Sequence, residues 1–158
     1  MVGAFATVVF VATGVLGYLV VDSPSVDRHV VLGLAAGFLL LFSHSWIMFY
    51  LIGTGKVIKE AVAEHDLPEE WIERTKDYKN RSYPWLMIAM GLAMATFILG
   101  GGVETKVLPK WIHWGLFYLA VGAQLKALYL EFLVLTENQK LMALADRTIR
   151  ERVEAAGS

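Results

Sequence analysis

Long runs of apolar residues alternate with short polar stretches along the chain. Four runs are long enough to cross a bilayer as helices, which takes about 20 residues. They extend over residues 2–21, 30–53, 83–101 and 111–136. The first run has no basic segment before it and no A-x-A-like cleavage site after it, so we interpret it as a span rather than a secretory signal. The pattern predicts an all-α, integral membrane, multi-pass protein.

The connections between the spans predict how the helices are arranged. Residues 22–28 and 101–110 form short links, and short links favour antiparallel neighbours. The sequence therefore predicts an up-down-up-down four-helix bundle, folded as a single domain over residues 1–158.

Two polar segments are predicted to carry helices beyond the membrane, at about 54–82 and 137–156. We predict that Asp66 is the N-cap of the second helix of the first segment. The second segment keeps an apolar stripe at helical spacing. We expect the extensions to pack as a small bundle that buries Ile58, Trp71, Ile72, Leu141 and Leu144.

The basic residues are distributed unevenly between the two sides of the predicted bundle. Six lie in the 54–82 segment and four in the tail after residue 136, whereas the opposite side has Arg28, Lys106 and Lys110. The positive-inside rule then places both termini in the cytoplasm. The composition, 56% hydrophobic, agrees with a chain in the inner, cytoplasmic membrane whose first partner is the lipid bilayer.

Polar residues inside the spans are the candidates for function. His44 lies between two serines in the middle of the second span, where an ionisable residue normally faces a partner or a cavity. At about 100° per residue, a single face of the second span carries His29, Gly33, Gly37, His44 and Met48. One face of the fourth span similarly carries His113, Phe117, Ala120, Gln124, Ala127 and Glu131.

These polar residues lie at two matching depths along the two spans. His29 and His113 lie near one end, while His44 and Gln124 each lie roughly 20 Å further into the span. The second and fourth helices of an up-down bundle are diagonal across its core. The sequence therefore predicts two facing polar levels.

Two neutral imidazoles on opposite helices suit the axial ligation of haem b. The arrangement resembles the cytochrome b bundle, in which two parallel, diagonal helices carry the ligands and glycines line the haem groove. The resemblance implies His29 and His113 as axial metal ligands and His44 as the alternative, with Gly33 and Gly37 making room. A haem at His44 would need Met87, Met90 or a partner chain, because Gln124 is not a usual haem ligand.

Lys126 is a further intramembrane charge. Its side chain leans toward the N-terminus of its helix and away from the cytoplasmic side. It therefore needs a carboxylate, an acid group of a lipid or cofactor, or a subunit interface. A haem propionate, a quinone carbonyl or a second subunit would serve as its partner. The primary hypothesis is a haem b-binding or quinone-binding electron-transfer subunit of a larger redox assembly.

Two other functions remain open. A structural accessory subunit, docking other membrane subunits or its own copies through the cytoplasmic helices, needs only that the polar residues satisfy one another. A small membrane enzyme is the third, because "ERTKDYKNR" (73–81) resembles the charged stretch of the four-span glutathione-transferring family. That family's spacing of Arg, His and Asn is not matched here. No basic patch interleaved with aromatic residues points to nucleic acid.

Overall fold

The computed structural model describes residues 2–20 and 23–156. These residues form four α-helices, α1 (Val2–Gly17), α2 (Ser23–His65), α3 (Glu70–Glu104) and α4 (Lys110–Ala156). No strand occurs within the described ranges. The prediction of an all-α bundle is confirmed.

Three of the described helices, α2, α3 and α4, are long and apolar enough to cross a membrane. The first helix is shorter than predicted, since it ends at Gly17 after 16 residues, or roughly 24 Å. The hydrocarbon core of a bilayer is about 30 Å thick. The chain turns after Gly17, where Tyr18 and Leu19 donate backbone hydrogen bonds to residues three positions earlier. Residue 21, the predicted end of the first span, lies outside the described residues.

The helices contribute to two compact units. The first unit comprises residues 1–46 and 84–128, and the second comprises residues 47–83 and 129–158. Helices α2, α3 and α4 each contribute residues to both units.

Small residues form the centre of the first unit. Its buried core combines four alanines with Phe10 and Leu40, namely Ala6, Ala36, Ala93 and Ala120. Helices that present alanine to one another approach closely, which is the usual packing of helices inside membranes. The ring of Phe10 packs on that of Phe117 with centroids 5.4 Å apart, which joins α1 to α4.

The contacts of the first unit place α2 and α4 diagonally. A Cβ built at Gly33 of α2 would lie 3.7 Å from Thr13 of α1 and 4.0 Å from Phe97 of α3. On α4, His113 packs against Gly100 of α3, and Phe117 packs against α1. Helices α1 and α3 therefore each contact both α2 and α4. This is the arrangement on which the predicted facing levels depend.

The second unit is a bundle of three helix segments with an apolar core. Its buried members are Leu51, Ile58, Val62, Leu67, Trp71, Tyr78, Val134, Leu141 and Ala145. Ile58, Trp71 and Leu141 are buried as predicted, and Ile72 packs partly buried against them. The prediction for Leu144 was wrong, because its side chain is 44% exposed. Ala145, one residue and about 100° further around α4, occupies the core position instead.

The turn between α2 and α3 corrects the predicted role of Asp66. Asp66 has φ 49°, the left-handed conformation of the residue that follows a helix. The amide of Leu67 donates to the carbonyl of Val62 over 3.2 Å, and both side chains enter the core of the second unit. This is a Schellman motif with its apolar contact. Asp66 thus ends α2 instead of capping α3.

Candidate functional site

The outer pair, His29 and His113, meets where the first two turns of α2 lie beside the start of α4. The two ring centroids are 6.4 Å apart and the ring planes are nearly perpendicular, at 88°. His29 is the seventh residue of α2 and His113 the fourth residue of α4. The structure therefore brings together the two histidines that the depth argument paired.

Glycines on the neighbouring helices allow both imidazoles to reach this position. A Cβ built at Gly17, the last residue of α1, would lie 2.9 Å from Cε1 of His29. A Cβ built at Gly100 of α3 would lie 3.1 Å from Cε1 of His113. Each ring thus rests against a bare Cα position that any side chain would crowd. Gly17 and Gly100 were missed by the sequence analysis, which examined the faces of the second and fourth spans only.

His29 is oriented by the backbone of α1. Its Nδ1 lies 3.1 Å from the carbonyl oxygen of Thr13. A carbonyl oxygen only accepts, so Nδ1 carries the proton and donates it. The neutral ring then presents the lone pair of Nε2, which is the form in which imidazole binds a metal.

The inner triad, His44, Gln124 and Thr7, lies deeper in the first unit. Nε2 of His44 is 2.9 Å from Oε1 of Gln124, and Nε2 of Gln124 is 2.9 Å from Oγ1 of Thr7. Thr7 in turn donates to the carbonyl of Gly3 over 2.8 Å. His44 is 0% exposed and Gln124 1%, so these hydrogen bonds form away from the surface. Thr7 was missed because one threonine in an apolar helix is common and gives no signal.

Open space adjoins the glycine face of α2. Gly37 is buried, yet a Cβ built on it would meet no described atom within 4 Å. Gly33, one turn earlier, would make only ordinary contacts of 3.7 and 4.0 Å. Interiors normally leave few such gaps. At Gly37, the face of α2 that was predicted to make room for a cofactor therefore has space for a methyl group.

Lys126 lies apart from these buried groups. Its side chain is exposed, and Nζ lies 5.9 Å from the ring centroid of Trp85 on α3. That distance is within the range of a cation–π interaction.

No three His, Cys, Asp or Glu side chains within the described ranges are grouped to hold a metal ion. This finding concerns sets of three side chains, whereas axial haem ligation needs only two protein ligands. No protein-family model, curated protein or solved structure matches the chain.

Proposed function

We propose that the protein is a membrane-embedded, haem b-binding subunit that carries electrons within a larger redox assembly. The observation that supports this most directly is the outer pair, with ring centroids 6.4 Å apart across α2 and α4. When bound, haem would supply one-electron redox chemistry. The residues proposed to hold it are His29 and His113.

The spacing of the two rings suits axial ligation from opposite sides. Bonds from a metal to an imidazole nitrogen are about 2 Å long. Two such bonds span about 4 Å from nitrogen to nitrogen, and each nitrogen lies about 1 Å from the centre of its own ring. Two imidazoles that bind a metal from opposite sides therefore have centroids roughly 6 Å apart. The ring centroids of His29 and His113 are separated by 6.4 Å, close to this value.

The surroundings of the outer pair also suit metal binding by a neutral imidazole. His29 already has the tautomer that leaves Nε2 unprotonated, because Nδ1 donates to Thr13. The open interior space at Gly37 lies about two turns further along α2 than His29 and about 80° around the helix from it. The haem macrocycle is a large apolar group that needs space between the helices. The alanines and glycines of this core leave more of that space than larger side chains would.

A structural role is the second candidate, and the inner triad favours it. Each hydrogen bond of the triad is made to another residue of the first unit, and together they tie α1, α2 and α4. His44 therefore has a role without any cofactor. We assign His44 and Gln124 to packing rather than to haem ligation, and keep the outer pair as the proposed site.

Haem uptake by the purified chain tests the proposal. The protein in detergent or nanodiscs should take up one haem per chain and show a Soret band, with sharpened visible bands on reduction. His65→Ala should retain that spectrum, because His65 belongs to the second unit. A folded protein that takes up no haem would overturn the proposal and leave the structural role.

A matched pair of glycine variants tests where the haem lies. A Cβ at Gly37 or at Gly91 meets no described atom within 4 Å, but Gly37 is buried and Gly91 is exposed. Neither Gly37→Ala nor Gly91→Ala should disturb the haem-free fold, which circular dichroism can verify. Gly37→Ala should weaken haem uptake, whereas Gly91→Ala should leave it unchanged. Equal uptake by both variants would place the haem elsewhere.

A further inference from the structure

Four lysines line an outer groove between α2 and α3 in the second unit, which we call the lysine groove. They are Lys56 and Lys59 of α2 and Lys76 and Lys79 of α3. Gly55 lies at the floor of the groove, since a Cβ built there would lie 3.5 Å from Nζ of Lys79 and 3.5 Å from Oγ1 of Thr75. Lys79, whose side chain is partly buried, thus packs into the contact between the two helices.

Helical geometry places the four lysines on the same side of the two helices. On each helix, one lysine lies about 40° and another about 100° from the residue at the contact, Gly55 or Thr75. The core residues Ile58 and Tyr78 lie about 60° away in the other direction. Because the two segments run antiparallel, equal directions on the two helices lead to the same side of the pair. All four lysines therefore face away from the core and into a single groove.

The lysines at the edges of the groove are paired, and those at its centre are not. Lys56 forms an ion pair over 3.6 Å and Lys76 one over 2.7 Å, each with a glutamate about one turn away on its own helix. Lys59 and Lys79, the two that lie nearest the contact between the helices, have no carboxylate within 4 Å in the described parts of the chain. The centre of the groove therefore carries two uncompensated positive charges.

The groove begins where the apolar run of α2 ends. Gly55 lies two residues beyond the run that ends at residue 53, which is about 3 Å along the helix. The ammonium of Lys79 packs against Gly55 and so lies at the same depth. The headgroup layer of a bilayer extends about 5–7 Å beyond the hydrocarbon core on each side. With α2 and α3 crossing a bilayer, the centre of the groove lies at the depth of the lipid phosphates.

We propose that the lysine groove binds the headgroup of an anionic phospholipid. The ammonium groups of Lys79 and Lys59 donate hydrogen bonds to its phosphate oxygens, as in other basic sites between membrane helices. Ile52, which is 50% exposed, lies on the same side of α2 as the lysines, about one turn nearer the membrane. It offers an apolar surface to an acyl chain, which inorganic phosphate lacks. This site belongs to the second unit and does not depend on haem.

Native mass spectrometry of the full chain in detergent tests the preference for an anionic lipid. The protein should bind dioleoyl phosphatidylglycerol about fivefold or more tightly than dioleoyl phosphatidylcholine, the effect of at least one lysine near a lipid phosphate. Equal affinity for the two lipids would overturn the proposal.

Three lysine variants test whether the groove is the site. Lys79→Gln should weaken the binding of phosphatidylglycerol about fivefold, whereas Lys79→Arg, which keeps the charge, should retain it. Lys140→Gln is the matched control, because Lys140 is exposed on α4 four residues beyond an apolar run and lies outside the groove. It should change the affinity by less than about twofold, the small effect of one exposed charge. Circular dichroism verifies that each variant is folded.

Two results with these variants would overturn the proposal. Equal losses of affinity in Lys79→Gln and Lys140→Gln would mean a general attraction between the lipid and the basic surface. An equal loss in Lys79→Arg and Lys79→Gln would mean that the charge at this position is not what binds the lipid.

Competition with inorganic phosphate distinguishes a lipid headgroup from a free anion. Phosphatidylglycerol should stay bound when inorganic phosphate is added in excess, because its acyl chains add contacts that the free ion cannot make. Displacement of the lipid by inorganic phosphate at an equal concentration would assign the groove to free phosphate and overturn the assignment to a lipid.

Discussion

His44 donates from Nε2 to the side-chain oxygen of Gln124 over 2.9 Å, which joins α2 to α4 inside the first unit. The direction of the chain of hydrogen bonds is fixed at its other end. Thr7 donates its hydroxyl proton to the carbonyl of Gly3, so its oxygen accepts from the Gln124 amide. That leaves the Gln124 oxygen to accept from His44, and the amide orientation follows from the network.

The first prediction concerns this network. Gln124→Leu removes the acceptor of the His44 Nε2 proton and the donor to Thr7 at once, in a buried part of the unit where both hydrogen bonds are lost without replacement by water. We expect the free energy of unfolding to fall by about 1–3 kcal/mol. A cycle with His44→Leu and the double variant, measured by denaturation in detergent, should give a coupling energy of about 0.6–1.7 kcal/mol.

Gln139→Leu is the matched control, because Gln139 lies on α4 with an exposed side chain. That substitution should change the free energy of unfolding by less than about 0.5 kcal/mol. A coupling energy near zero between positions 44 and 124 would mean that the hydrogen bond contributes nothing to stability.

The second prediction uses two leucines of α4 in the second unit. Leu141 is 2% exposed and Leu144 is 44% exposed. Leu141→Ala should lower the free energy of unfolding by about 2–5 kcal/mol, because it removes buried methyl groups and leaves a cavity. Leu144→Ala should cost well under about 1 kcal/mol. Hydrogen exchange should show the same contrast through faster exchange across 138–150 for Leu141→Ala only. Equal losses of stability in the two variants would contradict the observed orientation of α4, in which Leu141 is buried and Leu144 is exposed.

Much of the site was predictable because helical geometry converts sequence spacing into direction and depth. Angle and rise per residue alone paired His29 with His113 and His44 with Gln124. The same arithmetic could not show which residues of α1 and α3 face these pairs. Gly17, Gly100 and Thr7 were missed for that reason, since nothing in an apolar helix sets its rotation.

The predictions for Leu144 and Asp66 were wrong. Both concern positions where the alternative local structures differ little in energy. Leu144 and Ala145 differ by one step around the helix, and the sequence favoured the larger apolar residue. In the structure the smaller residue, Ala145, is the buried one, with an exposure of 4%. Asp66 is a good N-cap residue by type, but aspartate also tolerates the left-handed conformation that ends a helix. The residue type alone does not distinguish an N-cap from the residue that ends a helix.

The third prediction concerns the end of α3. Lys106 has φ 60°, and the amides of Lys106 and Val107 donate to the carbonyls of Val103 and Gly102. This is a Schellman motif with lysine where glycine is preferred. Lys106→Gly should raise the free energy of unfolding by about 0.5–1 kcal/mol, because it removes the strain of a left-handed L-residue.

Thr105→Gly serves as the control for that change. Thr105 does not have a positive φ, and its amide and hydroxyl both bond back to α3. Glycine there should lower the free energy of unfolding, since it adds unfolded-state entropy without relieving strain. Thermal unfolding of both variants in the same detergent measures the difference. Destabilisation by Lys106→Gly would show that the lysine side chain contributes more than its backbone costs.

The last prediction is the membrane topology, which rests on the uneven distribution of lysine and arginine. The chain contains no cysteine, so single-cysteine variants can be labelled without background. Val107 is 76% exposed in the link between α3 and α4, and Glu64 is exposed near the end of α2. Neither substitution removes a basic residue, so neither weakens the signal that sets the orientation. An impermeant maleimide should label Val107→Cys on intact cells, and Glu64→Cys only after the membrane is permeabilised. Labelling of Glu64→Cys alone on intact cells would reverse the orientation, and equal labelling of both would contradict a fixed topology.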